Sequence, residues 1–178
     1  MRLSAHRISL PVQLLLASAA LVVGLSSCAS GDSADDGANA RVVRVVDGDT
    51  IVVKTGGVEE RVRLIGIDTP ETVKPGTPVE CFGKAASART ADMLPEGTPV
   101  ILERDVEVRD RYDRLLAYVY RASDSTFVNL DLVEGGYALP ATYPPNVAHT
   151  DDFLEASREA RADGRGLWSE CEGEVVAE

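Results

Sequence analysis

Between Arg41 and Ile67 the chain is a series of β-branched runs broken by glycine turns, and that spacing narrows its possible folds more than any other feature. Arg41–Val46 and Thr50–Lys54 flank Asp47-Gly48-Asp49, and Val58–Ile67 follows Thr55-Gly56-Gly57. Short runs joined this tightly read as antiparallel hairpins. In the third run Val62 and Leu64 share one face, so Arg63 points to the other. Pro99–Asp105 and Leu115–Tyr120 read as two more strands. Helices are expected over Glu80–Leu94, over Phe127–Glu134 and from Thr150 to Gly164. A capping box in Thr77-Pro78-Val79-Glu80 announces the first. The last carries Asp151 and Asp152 in its opening turn and Arg158 and Arg161 near its end, as the helix dipole favours. Trp168, beyond it, is expected to pack back on the body. The fold class is therefore α+β, mainly β: a five-stranded closed barrel of the OB type with three helices.

The N-terminus belongs to targeting rather than to that fold. Arg2 and Arg7, the apolar run Ile8–Leu25 and the small residues of Leu25-Ser26-Ser27-Cys28 read as a secretory signal over residues 1–27. Its end resembles the lipobox of bacterial lipoproteins. That implies cleavage before Cys28, lipidation of Cys28, and acyl anchoring at the outer face of the cell membrane. An uncleaved span is the alternative, with Pro11 and Gln13 against it. Residues 28–40 are small and polar and read as a flexible tether, residues 41–171 as the folded domain, and residues 172–178 as an acidic tail. On this reading the domain lies outside the cytoplasm.

Charge and cysteines fit different parts of the argument. The chain holds 29 acidic and 18 basic residues, a formal charge of −11. A surface of that sign cannot hold nucleic acid by bulk attraction, so any such activity must rest on a local site. With Cys28 lipidated, Cys81 and Cys171 remain to pair in an oxidising compartment. On chain-entropy grounds a bridge closing about 90 residues stabilises by about 4–5 kcal/mol.

Candidate chemistry gathers around the barrel turns. Asp49 follows a tight turn, and Asp68 closes the third run in Ile67-Asp68-Thr69-Pro70-Glu71. Carboxylate and carbonyl oxygens suit hard Ca²⁺. No cysteine or imidazole set competes for Zn²⁺, since the histidines are His6 and His149. Arg63, and Arg114 after the charged loop Arg109-Asp110-Arg111-Tyr112-Asp113, offer planar forks that match a phosphate. Two arginines, a carboxylate metal site and the spare carboxylate of Glu71 together suit phosphodiester hydrolysis.

The same residues carry a resemblance. Val46-Asp47-Gly48-Asp49-Thr50, Arg63-Leu64-Ile65-Gly66-Ile67-Asp68-Thr69-Pro70-Glu71-Thr72, Phe82-Gly83-Lys84-Ala85-Ala86-Ser87, Asp110-Arg111-Tyr112-Asp113-Arg114, Leu116-Ala117-Tyr118-Val119-Tyr120 and Gly166-Leu167-Trp168-Ser169 occur in the order found in staphylococcal nucleases. Over residues 41–171 the chain resembles that thermonuclease family. The resemblance implies a monomeric OB barrel and Ca²⁺-dependent hydrolysis of DNA and RNA, single strands favoured, leaving 3′-phosphates. It gives Asp49, Asp68 and the Thr69 carbonyl to the metal, with Asp47 behind them. Arg63 and Arg114 fall to the scissile phosphate, Glu71 to the attacking water, and Tyr112 and Tyr143 to the nucleotide. It also matches Pro145 to a proline that can be cis.

Two departures stand out. Asp113 replaces a glycine common before the second arginine, and Ala141 replaces a tyrosine. A non-catalytic OB module binding nucleic acid and a Ca²⁺-binding surface lipoprotein are the rival readings. The first expects losses among Asp49, Arg63, Asp68, Glu71 and Arg114, and the second needs neither the arginines nor Glu71.

Overall fold

The computed structural model of the protein describes residues 37–72, 76 and 78–171. The expected signal, the lipidation site Cys28, most of the tether and the acidic tail lie outside the described residues. In chain order the elements are β1 (Ala40–Val45), β2 (Thr50–Thr55), β3 (Val58–Leu64), β4 (Gly66–Asp68), α1 (Gly83–Met93), β5 (Pro99–Glu103), β6 (Leu115–Arg121), β7 (Thr126–Phe127), α2 (Val128–Glu134), β8 (Leu139–Ala141), α3 (Thr150–Ala162) and α4 (Leu167–Glu170). No helix among the described residues is long and apolar enough to cross a membrane.

The sheet runs β3-β2-β1-β5-β6-β7 and closes through a β3–β6 pairing, so β1, β2, β3, β5 and β6 form the barrel. That closing ladder is parallel and sets Arg63 opposite Leu116. Ile51, Val53, Val62, Leu64, Val100 and Val119 face inward and are fully buried. Phe153 of α3 and Leu132 of α2 complete the core. Burying one such side chain contributes roughly 1.5–3 kcal/mol. Asn129 of α2 staples the layers from within: its Oδ1 accepts from Val119 N at 2.9 Å and its Nδ2 donates to Ile65 O at 2.9 Å.

Several boundaries differ from those read in the sequence. The run Val58–Ile67 is two strands rather than one, broken at Ile65 just before Gly66. Gly66 has φ +80, and a Cβ there would clash with the Cε2 edge of the Phe153 ring. The break turns Gly66–Asp68 away to pair with β8, from Gly66 opposite Ala141 to Asp68 opposite Leu139. The first helix starts at Gly83, three residues after Glu80, and Phe82 before it is left-handed without a side-chain cap. Glu80 is occupied elsewhere: its Oε2 accepts from Glu71 N at 2.9 Å, and its own N donates to Glu71 O at 3.0 Å. The fold also begins before Arg41, because Ala40 is buried in β1 and Asn39 trades two hydrogen bonds with the Leu102 backbone.

Cys81 and Cys171 are bonded, with 5.9 Å between their Cα atoms. The bridge ties the approach to α1 to the end of α4. Trp168 lies under Arg161, whose guanidinium carbon sits 5.2 Å from the ring centroid. The Pro144–Pro145 peptide is cis.

Candidate active site

The turn between β1 and β2 brings the first acids into place. A Cβ on Gly48 would lie 2.6 Å from Thr69 Oγ1, so only glycine lets the turn close onto the strand exit. Thr69 then donates to Asp49 Oδ2 from its N at 3.1 Å and its Oγ1 at 3.2 Å. Asp49 is only 7% exposed. Arg63 lies between the two acids: its Nη2 is 3.1 Å from Asp49 Oδ2 and 2.7 Å from Asp68 Oδ1. Its Nη1 donates to the Leu64 carbonyl.

One guanidinium does not satisfy this much negative charge. Burial and the Asp49 charge push the Asp47 carboxyl up to about 6. Desolvation also raises Asp68, against the pull of Arg63, and the Asp49 charge adds to the rise. Carboxylates that resist ionising together are what a hard dication relieves, so Asp49, Asp68 and the Thr69 carbonyl fit such an ion. Among the described residues no group of three or more His, Cys, Asp and Glu side chains is arranged to hold a metal.

The Asp47 shift has a testable sign. Its folded carboxyl titrates near 6 against an ordinary 3.8, so the unfolded chain releases that proton first. Without divalent cations, the Asp47 contribution is fully favourable below about pH 4, falls as pH rises, and levels off above about pH 6. Urea unfolding of Asp47→Asn in a chelator is expected to lack that fall. The same pH slope in variant and native protein would remove Asp47 as its source.

Opposite the acids stands the second arginine. Asp110 holds it twice, accepting from Arg114 N at 2.9 Å and from Arg114 Nε at 2.7 Å. Burial works to raise Asp110, yet the Arg114 amide and guanidinium keep it below its ordinary range. Tyr112 covers the approach, with the guanidinium carbons of Arg111 and Arg114 at 4.7 and 5.6 Å from its ring centroid. Tyr112 and Tyr143 are 65% and 73% exposed. Glu71 Oε1 accepts from Thr72 N at 2.8 Å.

Asp47, Asp49, Arg63, Asp68, Thr69, Glu71, Tyr112, Arg114 and Tyr143 all line one cleft of about 620 Å³. They come from segments scattered along the chain, and the fold brings them to one wall. A sequence model described as "Staphylococcal nuclease homologue" matches residues 61–170. The chain is 47% identical over 127 residues to the Thermonuclease of Staphylococcus intermedius, covering 71% of this chain and 74% of that protein. The chain belongs to the staphylococcal nuclease family.

Further relatives agree. Identity is 41% over 129 residues to the Thermonuclease of Staphylococcus hyicus, covering 72% of this chain and 75% of that one. It is 38% over 132 residues to Endonuclease YncB of Bacillus subtilis (strain 168), covering 74% and 62%. As a member of the staphylococcal nuclease family the chain is a nuclease, a hydrolase of nucleic-acid phosphodiester bonds.

Sequence reasoning gave no role to several residues of this nuclease cleft. Asp110 sits inside the charged loop and orients Arg114, and two carboxylates around one arginine were the available signal. Asn146 is 5% exposed and clasps Glu107 through N···Oδ1 at 2.7 Å and Nδ2···O at 3.0 Å. Nothing near either residue in the chain announces that pair. Asp113, the unusual residue before Arg114, points outward with its side chain 87% exposed and its Oδ1 3.5 Å from Arg109 Nη1. Cys81 and Cys171 lie outside the cleft lining.

Proposed function

We infer that this nuclease is Ca²⁺-dependent and cuts single-stranded DNA and RNA to 3′-phosphate ends. The gathering of all nine residues on one cleft wall carries the reading. Asp49, Asp68 and the Thr69 carbonyl would hold the ion, and Asp47 would steady them from behind. Ca²⁺, when bound, supplies positive charge that offsets the charge gathering on the phosphate. Arg63 and Arg114 grip the scissile phosphate through paired N–H donors and strengthen that grip as negative charge develops. Glu71 orients the attacking water and takes its proton as the oxygen bonds to phosphorus. The P–O5′ bond then breaks, and the leaving oxygen acquires a proton from the surrounding water. Tyr112 and Tyr143 offer faces for sugar and base.

The setting is proposed to be extracytoplasmic. A signal over residues 1–27, lipidation of Cys28 and a tether ending before Asn39 would hold a monomeric enzyme at the outer face of the cell membrane. The Cys81–Cys171 bridge supports an oxidising compartment. Mass spectrometry of products from a short DNA strand tests the chemistry. Ends bearing 3′-phosphate and 5′-hydroxyl are expected, and 5′-phosphate ends would overturn the assignment of the bond broken.

A further inference from the structure

Arg109 takes no part in that chemistry, yet it joins the strand that carries Arg63 to the loop that carries Arg114. Its Nη2 lies 2.7 Å from Glu60 Oε1 and its Nη1 3.1 Å from Glu60 Oε2, a forked pair with one carboxylate. The same Nη1 donates to the Asp113 carbonyl at 2.8 Å. Glu60 lies on β3, the strand that carries Arg63. The Asp113 carbonyl belongs to the peptide that leads directly into Arg114.

The loop between these points is shaped to need such a tie. Asp113 is left-handed at φ +64, which costs a non-glycine residue energy. Asp113 N donates to Asp110 O at 3.0 Å, and Asp110 N to Arg114 O at 3.0 Å, so the tip is internally closed. Its base meets the barrel through Leu116 N to Val108 O at 2.9 Å and the Arg109–Leu115 bridge. Asp110 fixes the Arg114 side chain to the tip, and Arg109 fixes the tip to β3.

We propose that Arg109 is a positioning residue which, through Glu60 and the Asp113 carbonyl, sets the spacing of Arg63 and Arg114 so that both can hold one phosphodiester. This rests on the nuclease mechanism above and adds to it a group that never touches substrate. The pair is too exposed, at 37% and 23%, to matter much for stability. Its effect is on geometry, where a displacement of about 1 Å can cost about a hundredfold in rate. Only a planar fork reaches both carboxylate oxygens and the carbonyl, so a point charge is a poor substitute.

The test uses the whole protein with Ca²⁺ and a short single-stranded DNA. Arg109→Ala is expected to lower kcat by about tenfold, with KM changed by no more than about twofold. In an Arg114→Lys background it is expected to cause no further loss, because it acts through Arg114. In the ligand-free protein, the side-chain Nε–H resonance of Arg114 is expected to shift and broaden in Arg109→Ala. Full kcat, an equal tenfold loss in the Arg114→Lys background, or an unmoved Arg114 resonance would each overturn the proposal. Glu60→Gln gives the same readings should Arg109→Ala fail to fold. Absence of cleavage by the native protein would defeat the nuclease mechanism instead, and the resonance would still decide the positioning claim.

Discussion

Replacing Arg63 by alanine is expected to lower cleavage of single-stranded DNA by about a thousandfold and, separately, to make the fold lean on divalent cations. The rate loss follows from removing one of two forks that meet the phosphate. The second effect follows from the acids. Arg63 is 14% exposed and its Nη2 is shared between Asp49 and Asp68. Without it, a carboxylate only 10% exposed faces a second one with no cation between them. Breaking such a pair by removing one partner costs about 3 kcal/mol. Urea unfolding at neutral pH should show that loss in a chelator and recover most of it in millimolar Ca²⁺. A loss of equal size in both conditions would mean that Arg63 supports the barrel in some way unrelated to the acids.

The largest stability effect is expected at the disulfide. Cys81 and Cys171 are 90 residues apart in sequence, so the bridge restrains a long loop of the unfolded chain. A chain-entropy argument puts the loss in a Cys81→Ser, Cys171→Ser double variant at about 4–5 kcal/mol, an upper figure. A small domain can lose most of its stability that way. Activity should suffer as well. Glu80, next to Cys81, exchanges two hydrogen bonds with the Glu71 backbone, so loosening the bridge loosens the carboxylate proposed to orient the attacking water. A several-fold fall in kcat is expected under conditions where the variant remains folded. Unfolding midpoints equal to those of the native protein would show that the bridge adds nothing to this fold.

Much of the barrel was legible because its strands obey local rules. The runs around Asp47-Gly48-Asp49 and Thr55-Gly56-Gly57 announce three strands, and the parity of Val62 and Leu64 places Arg63 on the opposite face. What failed to show depended on distant partners. β4 and β8 are three-residue strands that exist because they pair with each other. The second contains Pro140, which sequence rules count against a strand. The Thr77–Glu80 pattern promised a helix cap, but Glu71 claims the Glu80 carboxylate first. Arg109 reads in the sequence as one more charge in a polar loop, because its partner Glu60 is 49 residues away. The candidate site divides in the same way. Residues that would touch substrate or metal were given roles by their motifs, whereas the roles of Asp110, Asn146, Glu80 and Arg109 depend on partners that the local sequence does not name.

This cleft is proposed to hydrolyse nucleic acid with a bound cation and Glu71. Cleavage of single-stranded DNA by the native protein and by Glu71→Gln, each with Ca²⁺ and with a chelator, tests it most directly. The native protein should cut only with Ca²⁺, and Glu71→Gln should lose about two to four orders of magnitude while unfolding at the native midpoint. Cutting that persists in the chelator, or a folded Glu71→Gln that cuts at nearly the native rate, would contradict the account.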